Sequence, residues 1–387
     1  MVKVVKKTWD DQRLKSDRLV LIQKQMKKRG IGAVYLSDHV NMRYVLNLKI
    51  PGAELFVPAE GEPLGFVRSR DMGFVKQHHQ NVQLPIYTRR AIRDGTRPEE
   101  IERFAQGIIE LMKRHGVASQ VLGLDTLGVA AVLALTKAGI SLTDARPVFE
   151  HAGSVKTPDE IAIYRSISEQ YFHTVNAFRK AIRPGISENE LAAIVVSAWY
   201  EAGGEDIAQL NVCAGENMNP WRRWPSQRTL KAGEFVGIDL HGRGLNGLRG
   251  DVSRTFLVGD QPTVEQHDLY KRAYDYLVGA VDVFQAGRSF ADVIRSVPEV
   301  PEKYRARFYT LNLAHGVGMG SSGYPQLDKH RTPPDDTLKP NQVLSVECFF
   351  GEEQSPHAVK LEEMILVCEG KSQILTPAAP FEERLVA

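Results

Sequence analysis

Four acids and a histidine in the C-terminal half, Asp239, Asp251, His315, Glu347 and Glu362, are the residues whose types and spacing suggest chemistry. Phe235 to Gly259 (FVGIDLHGRGLNGLRGDVSRTFLVG) reads as a β-hairpin with its turn near Leu245-Asn246-Gly247. Asp239 and Asp251 are twelve residues apart. With the turn centred between them they lie opposite each other and point to one face. Two facing carboxylates repel, and burying them unpaired costs several kcal/mol or drives their pKa values upward. Bound divalent cations would remove that problem. On the hairpin alone, two solvated acids flanking a turn are an equal reading.

His315 lies among small and apolar neighbours in Leu313-Ala314-His315-Gly316-Val317-Gly318. Glu347 interrupts the apolar run Leu344 to Phe349, and Glu362 interrupts Val359 to Val367. Acids in the middle of apolar strands are rarely left without a partner; singly, each reads as well as a salt-bridge partner as a ligand. Taken together, the four carboxylates carry a formal charge of −4, which two divalent ions would cancel. Carboxylate oxygens with one imidazole suit manganese, cobalt, iron or zinc, and the histidine disfavours calcium. Two such ions about 3.5 Å apart would hold a hydroxide and polarise a substrate oxygen.

Positioning these residues requires strands in the C-terminal part and a separate unit before it. At 387 residues two domains are expected. In the first, helical periodicity over Leu19 to Arg29 stops at Gly30, a strand spans Ala33 to Leu36, and a helix spans Glu99 to His115 before Gly116. Strand Val121 to Leu124 and helix Leu127 to Ala138 complete an α/β unit. Turn residues and Pro158 place the boundary at 153/154, giving domains 1–153 and 154–387. Beyond it Asp159 caps a long helix toward Ala181, and Ser187 with Glu190 forms a capping box. Net charge is only +2, which offers nothing to nucleic acid or a membrane surface. No run approaches the roughly 20 apolar residues of a membrane span, and Met1 to Lys7 is basic without an apolar stretch behind it. Three scattered cysteines, Cys213, Cys348 and Cys368, fit reduced thiols in a cytoplasmic protein.

The five residues, in this order, resemble the metal ligands of the pita-bread metallohydrolases, the family of methionine aminopeptidase, aminopeptidase P, prolidase and creatinase. Gly250 to Thr255 is similar to that family's second-aspartate strand, Ser154 to Ile161 to the entry of its catalytic domain, and Arg18 to Tyr44 to the start of a creatinase-type N-terminal domain. The resemblance implies an α/β (α+β) chain with a creatinase-like first domain, a pita-bread second domain, two divalent ions and a homodimer. It further implies Asp239 on one ion, His315 and Glu347 on the other, Asp251 and Glu362 bridging, and Thr255 supporting the ligands. The chain departs from the peptidase pattern in three places, one being Cys348-Phe349-Phe350 after Glu347 in place of a prolidase-like Glu-Pro-Gly. The loop Gly215 to Trp224 (GENMNPWRRW) carries no histidine, and Ser322 stands seven residues after His315 where a second histidine is usual. The twelve-residue aspartate spacing, the Asn219-Pro220-Trp221 loop and the Glu347 strand look more like the dimethylsulfoniopropionate lyase branch. That branch has an acid where this chain has Ser321, and an aspartate where this chain has His241.

His241, two residues from Asp239 on the same strand face, is a candidate catalytic proton shuttle, a third metal contact or a support for the ligands. The last is preferred, because five ligands complete the family's set. Arg222 and Arg223 either clamp a substrate carboxylate or face solvent. Trp221, Trp224, Phe349 and Phe350 would wall an apolar or cation-binding pocket, with core packing an equal reading for the phenylalanines. His330 and His357 sit in turn-rich segments and read as surface residues. The expected activity is hydrolysis of an amide-like C–N bond in a small carboxylate-bearing substrate. Metal-bound hydroxide would attack and Glu347 would relay the proton. The alternatives are a C–S lyase like the dimethylsulfoniopropionate enzymes, an Xaa-Pro dipeptidase or aminopeptidase, and a metal-free binding module.

Overall fold

The computed structural model describes residues 7–50, 52–78, 86–88, 97–308, 313–320, 323–376 and 380–386. Two compact units appear, one from Asp10 to Gly153 and one containing Ser154 to Ala387.

The first unit is one mixed sheet with helices. Strands β1 (Ile31–Leu36), β2 (Glu54–Pro58), β3 (Leu64–Val67), β4 (Ile86–Thr88), β5 (Val121–Leu124) and β6 (Leu142–Asp144) run in the order β4-β3-β2-β1-β5-β6. The helices are α1 (Asp11–Lys28), α2 (His39–Leu46), α3 (Met72–His78), α4 (Pro98–Arg114), α5 (Val129–Lys137) and α6 (Arg146–Ala152). Helix α1 starts eight residues before the expected Leu19. Asp10 caps it there, its Oδ1 accepting from the backbone N–H of Gln12 at 2.8 Å and of Arg13 at 3.1 Å. Phe104, Ile108, Ala131 and Leu135 from α4 and α5 pack on Tyr35, Phe56 and Leu122 of the sheet.

In the second unit, α7 (Pro158–Ala181) is capped by Thr157 rather than by Asp159. Thr157 accepts from the Glu160 N–H at 3.2 Å, and the Glu160 carboxylate accepts from the Thr157 N–H at 3.0 Å. With Pro158 preset at the first helical position, Asp159 falls inside the first turn. The Ser187–Glu190 box opens α8 (Glu188–Glu201) as expected. Strands β7 (Asp206–Ala214), β8 (Phe235–Arg243) and β9 (Val252–Leu257) form an antiparallel sheet. After α9 (Val264–Val283), α10 (Phe290–Ser296) and α11 (Glu302–Phe308) comes a second sheet. Its strands are β10 (Ala314–Gly316), β11 (Gly323–Leu327), β12 (Val343–Gly351), β13 (Ala358–Leu366) and β14 (Gln373–Ile374), in the order β11-β10-β12-β13-β14. The apolar residues of α9 cover β12 and β13, with Tyr270, Ala273, Leu277, Phe350 and Leu361 in one buried cluster.

Side chains rather than a continuous ladder join the two sheets. Thr255 donates to the Lys360 carbonyl at 3.0 Å and accepts from the Lys360 N–H at 3.1 Å. Arg254, fully buried, donates to the Glu362 carbonyl and to the Glu363 carboxylate, both at 2.6 Å, and lies 4.0 Å from the centre of the Phe381 ring. This seam sets β9 against β13. Arg254→Met strands Glu363 in the interior, so we expect a stability loss of about 3–5 kcal/mol in urea unfolding; a loss below about 1 kcal/mol would contradict this role.

Candidate metal centre

The hairpin register decides what the aspartates face. Ladder pairs set Gly237 against Thr255 and Asp239 against Ser253, and an isolated bridge pairs Arg243 with Arg249. The turn is therefore centred on Asn246, which takes a left-handed conformation (φ 57°), one residue past the midpoint of the two aspartates. The expected face-to-face aspartate pair is corrected: they share a face but are offset by two residues. Continuing the ladder, supported by the Gly250 N–H donating to the Gly242 carbonyl, sets Asp251 opposite His241.

In the second sheet Glu347 pairs with Glu362 and Phe349 with Lys360, while His315 pairs with Ser345. Two-residue alternation puts Ser345, Glu347, Phe349, Lys360 and Glu362 on one face. The seam then brings this face to Asp239 and Asp251. Ser253 Oγ lies 2.9 Å from Asp239 Oδ1 and 2.8 Å from Glu362 Oε2. His315 Nε2 is 3.6 Å from Asp251 Oδ2, 3.8 Å from Glu362 Oε1 and 3.9 Å from Glu347 Oε1. All five candidate ligands are thus brought together and buried, His241 lies beside them with 13% of its side chain exposed, and two ligand groupings share Asp251: Asp239–His241–Asp251 and Asp251–His315–Glu362.

Two cations missed in the sequence lie inside this cluster. Lys360 Nζ is 3.3 Å from Asp239 Oδ2 and 3.2 Å from both Glu347 Oε2 and Glu362 Oε2. Arg249 Nη2 is 3.0 Å from Asp251 Oδ2 and also touches His241 Nδ1. The signal for Lys360 was its position two residues before Glu362, which alternation puts on the same face. These cations cancel two of the four negative charges, correcting the expectation that metal ions do so alone. Burial penalises ionisation of Asp239, but Lys360 and His241 outweigh it and hold that carboxyl well below its usual range. Asp251 is lowered likewise, burial being overcome chiefly by His241. Glu347 goes the other way: burial lifts it to about 7, with Lys360 only partly opposing. For His241 burial works against protonation, yet Asp239 and Asp251 raise it to about 10.

The residues fit divalent ions on their own evidence. With His241 neutral, two uncancelled negative charges remain, the donors are carboxylate oxygens and imidazole nitrogens, and Asp251 Oδ1, fully buried, has no hydrogen-bond partner among the described residues.

Around the cluster the other candidates divide. Trp221 packs edge-on to Phe349 with ring centroids 6.0 Å apart, and a Cβ on Gly237 would come within 2.9 Å of its ring. Gly237 and Phe349 lie on the strand faces that carry Asp239 and Glu347, so this aromatic pair borders the cluster. Arg222, Arg223 and Trp224 are exposed, and among the described residues no ion pair ties either arginine to the carboxylates. The loop itself hangs on Glu188, whose carboxylate accepts from Ala214 N, Asn217 Nδ2, Ser226 N and Ser226 Oγ at 2.6–3.0 Å. Thr255 acts through the Lys360 backbone rather than on a ligand side chain. His330 is exposed as expected, but His357 is half-buried, edge-on to Phe235 at 5.8 Å. Ser321 and Ser322 lie outside the described residues.

Residues 162–369 match the family model of metallopeptidase family M24, and residues 18–155 match the creatinase/prolidase N-terminal domain. This chain belongs to metallopeptidase family M24. Among curated relatives, the dimethylsulfoniopropionate lyase DddP of Roseobacter denitrificans is 27% identical over 295 residues, covering 73% of this M24 chain and 65% of that protein. The DddP of Roseovarius nubinhibens is 24% identical over 404 residues, covering 97% and 88%. An Xaa-Pro dipeptidase from Bacillus anthracis shares the fold with a TM-score of 0.80 at 19% identity, covering 95% of this chain and 99% of that one. The M24 enzyme is thus a metallohydrolase by family, with the mixed helix-and-sheet architecture expected. Among the described residues no helix is long and apolar enough to cross a membrane.

Lys360→Met leaves Asp239, Glu347 and Glu362 without their shared cation. We expect a clear drop in melting temperature in chelator, and divalent-ion affinity at least about tenfold tighter because a competing charge is gone. An unchanged melting temperature in chelator would refute this role for Lys360.

The raised groups also give a pH signature. Glu347 keeps its proton between the usual 4.5 and about 7, and His241 between 6.5 and about 10, where the unfolded chain has released it. Stability of the chelator-treated protein should therefore fall as pH rises from about 5 to about 9. A melting temperature that rises across that range would contradict the assignment.

Proposed function

We propose that this enzyme is a dinuclear metal-dependent hydrolase that cleaves an amide-like C–N bond in a small carboxylate-bearing substrate. The observation that carries the reading is the charge balance. With His241 neutral in the loaded site, Lys360 and Arg249 leave two negative charges on the ligand carboxylates, so two divalent ions would give that site two surplus positive charges. That surplus draws a substrate carboxylate and stabilises an oxyanion.

Asp239, Asp251, His315, Glu347 and Glu362 would hold the ions. When bound, the ions would acidify a water and polarise the scissile carbonyl. The chain's own part is proton management and placement. Glu347, buried at the edge of the ion positions, can take a proton and return it to the leaving nitrogen. Lys360, bonded to Ser253 Oγ at 2.6 Å, holds Glu347 and Glu362 in register. Trp221 and Phe349 exclude water from one side. The reading includes a cytoplasmic homodimer containing manganese, cobalt, iron or zinc.

A second reading is favoured by the DddP relatives and by the Trp221–Phe349 pair, whose rings suit a sulfonium cation. It keeps the metal site but makes the reaction a β-elimination that breaks a C–S bond. The test screens the metal-loaded protein against N-acyl amino acids, proline dipeptides and dimethylsulfoniopropionate, measuring amine release and volatile sulfide. Amine release from an amide substrate is expected, and Glu347→Gln should lower its kcat about 10²- to 10⁴-fold with little change in KM. Sulfide release without amide hydrolysis would replace the first reading by the second.

A further inference from the structure

We propose that His241 is itself a metal ligand, a sixth beside Asp239, Asp251, His315, Glu347 and Glu362, so that each ion position has one imidazole. The inference rests on the reading that this cluster binds metal, and it is independent of which bond is cleaved.

Each ring nitrogen of His241 faces a carboxylate. Nδ1 lies 2.7 Å from Asp251 Oδ2, where Arg249 Nη2 also converges. Nε2 lies 3.2 Å from Asp239 Oδ1 yet makes no hydrogen bond, although the atom is buried. A ring nitrogen this close to a carboxylate without a hydrogen bond to it is what two ligands of one ion look like. Donors about 2.1 Å from a metal, at roughly 90–109° to each other, are about 3.0–3.4 Å apart, and neither points at the other. Metal-bound histidines, moreover, usually donate their second ring N–H to a carboxylate or carbonyl, which fixes the tautomer and aims the free lone pair.

His315 shows the same division of labour. Its Nδ1 is 3.2 Å from the Gly316 carbonyl, while Nε2 faces Asp251, Glu347 and Glu362 at 3.6–3.9 Å. Both imidazoles present Nε2 to carboxylates. Asp251, shared by the two groupings and with Oδ1 still unpartnered, links them.

Competing roles for His241 fit less well. A purely supporting histidine would use Nε2 as a donor to Asp239, and that bond is not made. Arg249 Nη2 converges with Nδ1 on Asp251 Oδ2, so it contends for the Nδ1 side and leaves Nε2 untouched. An added nitrogen donor also shifts the preference of the Asp239 position toward cobalt, iron or zinc over manganese.

The test uses the full-length protein loaded with cobalt(II). In proton NMR each ligating imidazole contributes one paramagnetically shifted, exchangeable Nδ1–H signal. We expect two such signals in the wild type and one in His241→Ala. By elemental analysis after dialysis, His241→Ala should fall from about two metal equivalents toward one. His241→Asp, which restores a carboxylate donor, should regain the second equivalent while showing a single shifted signal. One shifted signal in the wild type, or two equivalents of unchanged affinity in His241→Ala, overturns the proposal. The wild-type signal count decides even if a variant fails to fold. Asp251→Ala serves as the control for the underlying reading: unchanged metal content there would sink the metal site as a whole, whereas a result against His241 alone leaves it standing.

Discussion

A carboxylate withdrawn from water beside another carboxylate stays ionised only if positive charge accompanies it. Here Asp239, Asp251, Glu347 and Glu362 are at most 6% exposed and within a few side-chain lengths of one another. The rest of the catalytic unit can be understood as the means of meeting that condition without collapsing the cavity. Lys360 and Arg249 neutralise part of the charge from fixed strand positions, and the hydroxyls of Ser253 and Ser345 occupy further lone pairs. What is left over is too little for the chain to be indifferent to cations and too much for it to do without them.

Because the neutralising groups sit on strands, their position depends on the joint between two separate sheets. That joint uses Arg254 and Thr255, the two residues after Ser253 on β9, which bond to the backbone of Lys360 and Glu362. One short strand therefore carries both the mechanical link and part of the polar cavity. Ser253 turns toward Asp239, while Arg254 on the opposite face turns toward Glu363 and Phe381.

Much of this was legible in the sequence, for definite reasons. Acids isolated in apolar runs stand out, and strand alternation assigns them a face without any coordinates. The helix-ending glycines Gly30 and Gly116 and the Ser187–Glu190 box are local signals that tertiary packing did not override. What escaped depended on single-residue offsets and on long-range partners. Moving the turn centre from residue 245 to Asn246 exchanged the partner of Asp251 from Asp239 to His241. Lys360 drew no reading from the sequence, because Glu347 reaches it only across the β12–β13 ladder and Asp239 only across the seam between the sheets. Glu188 gave no signal at all, since its four hydrogen-bond donors come from a loop 26 to 38 residues away.

A single carboxylate on α8 secures both ends of the segment from Ala214 to Ser226, and it does so without drawing on any candidate ligand. Between those tie points Arg222, Arg223 and Trp224 are exposed, and their exchange would leave the carboxylate cluster undisturbed. Exchange of those exposed residues would change what approaches the cluster while Glu188 keeps the loop in place.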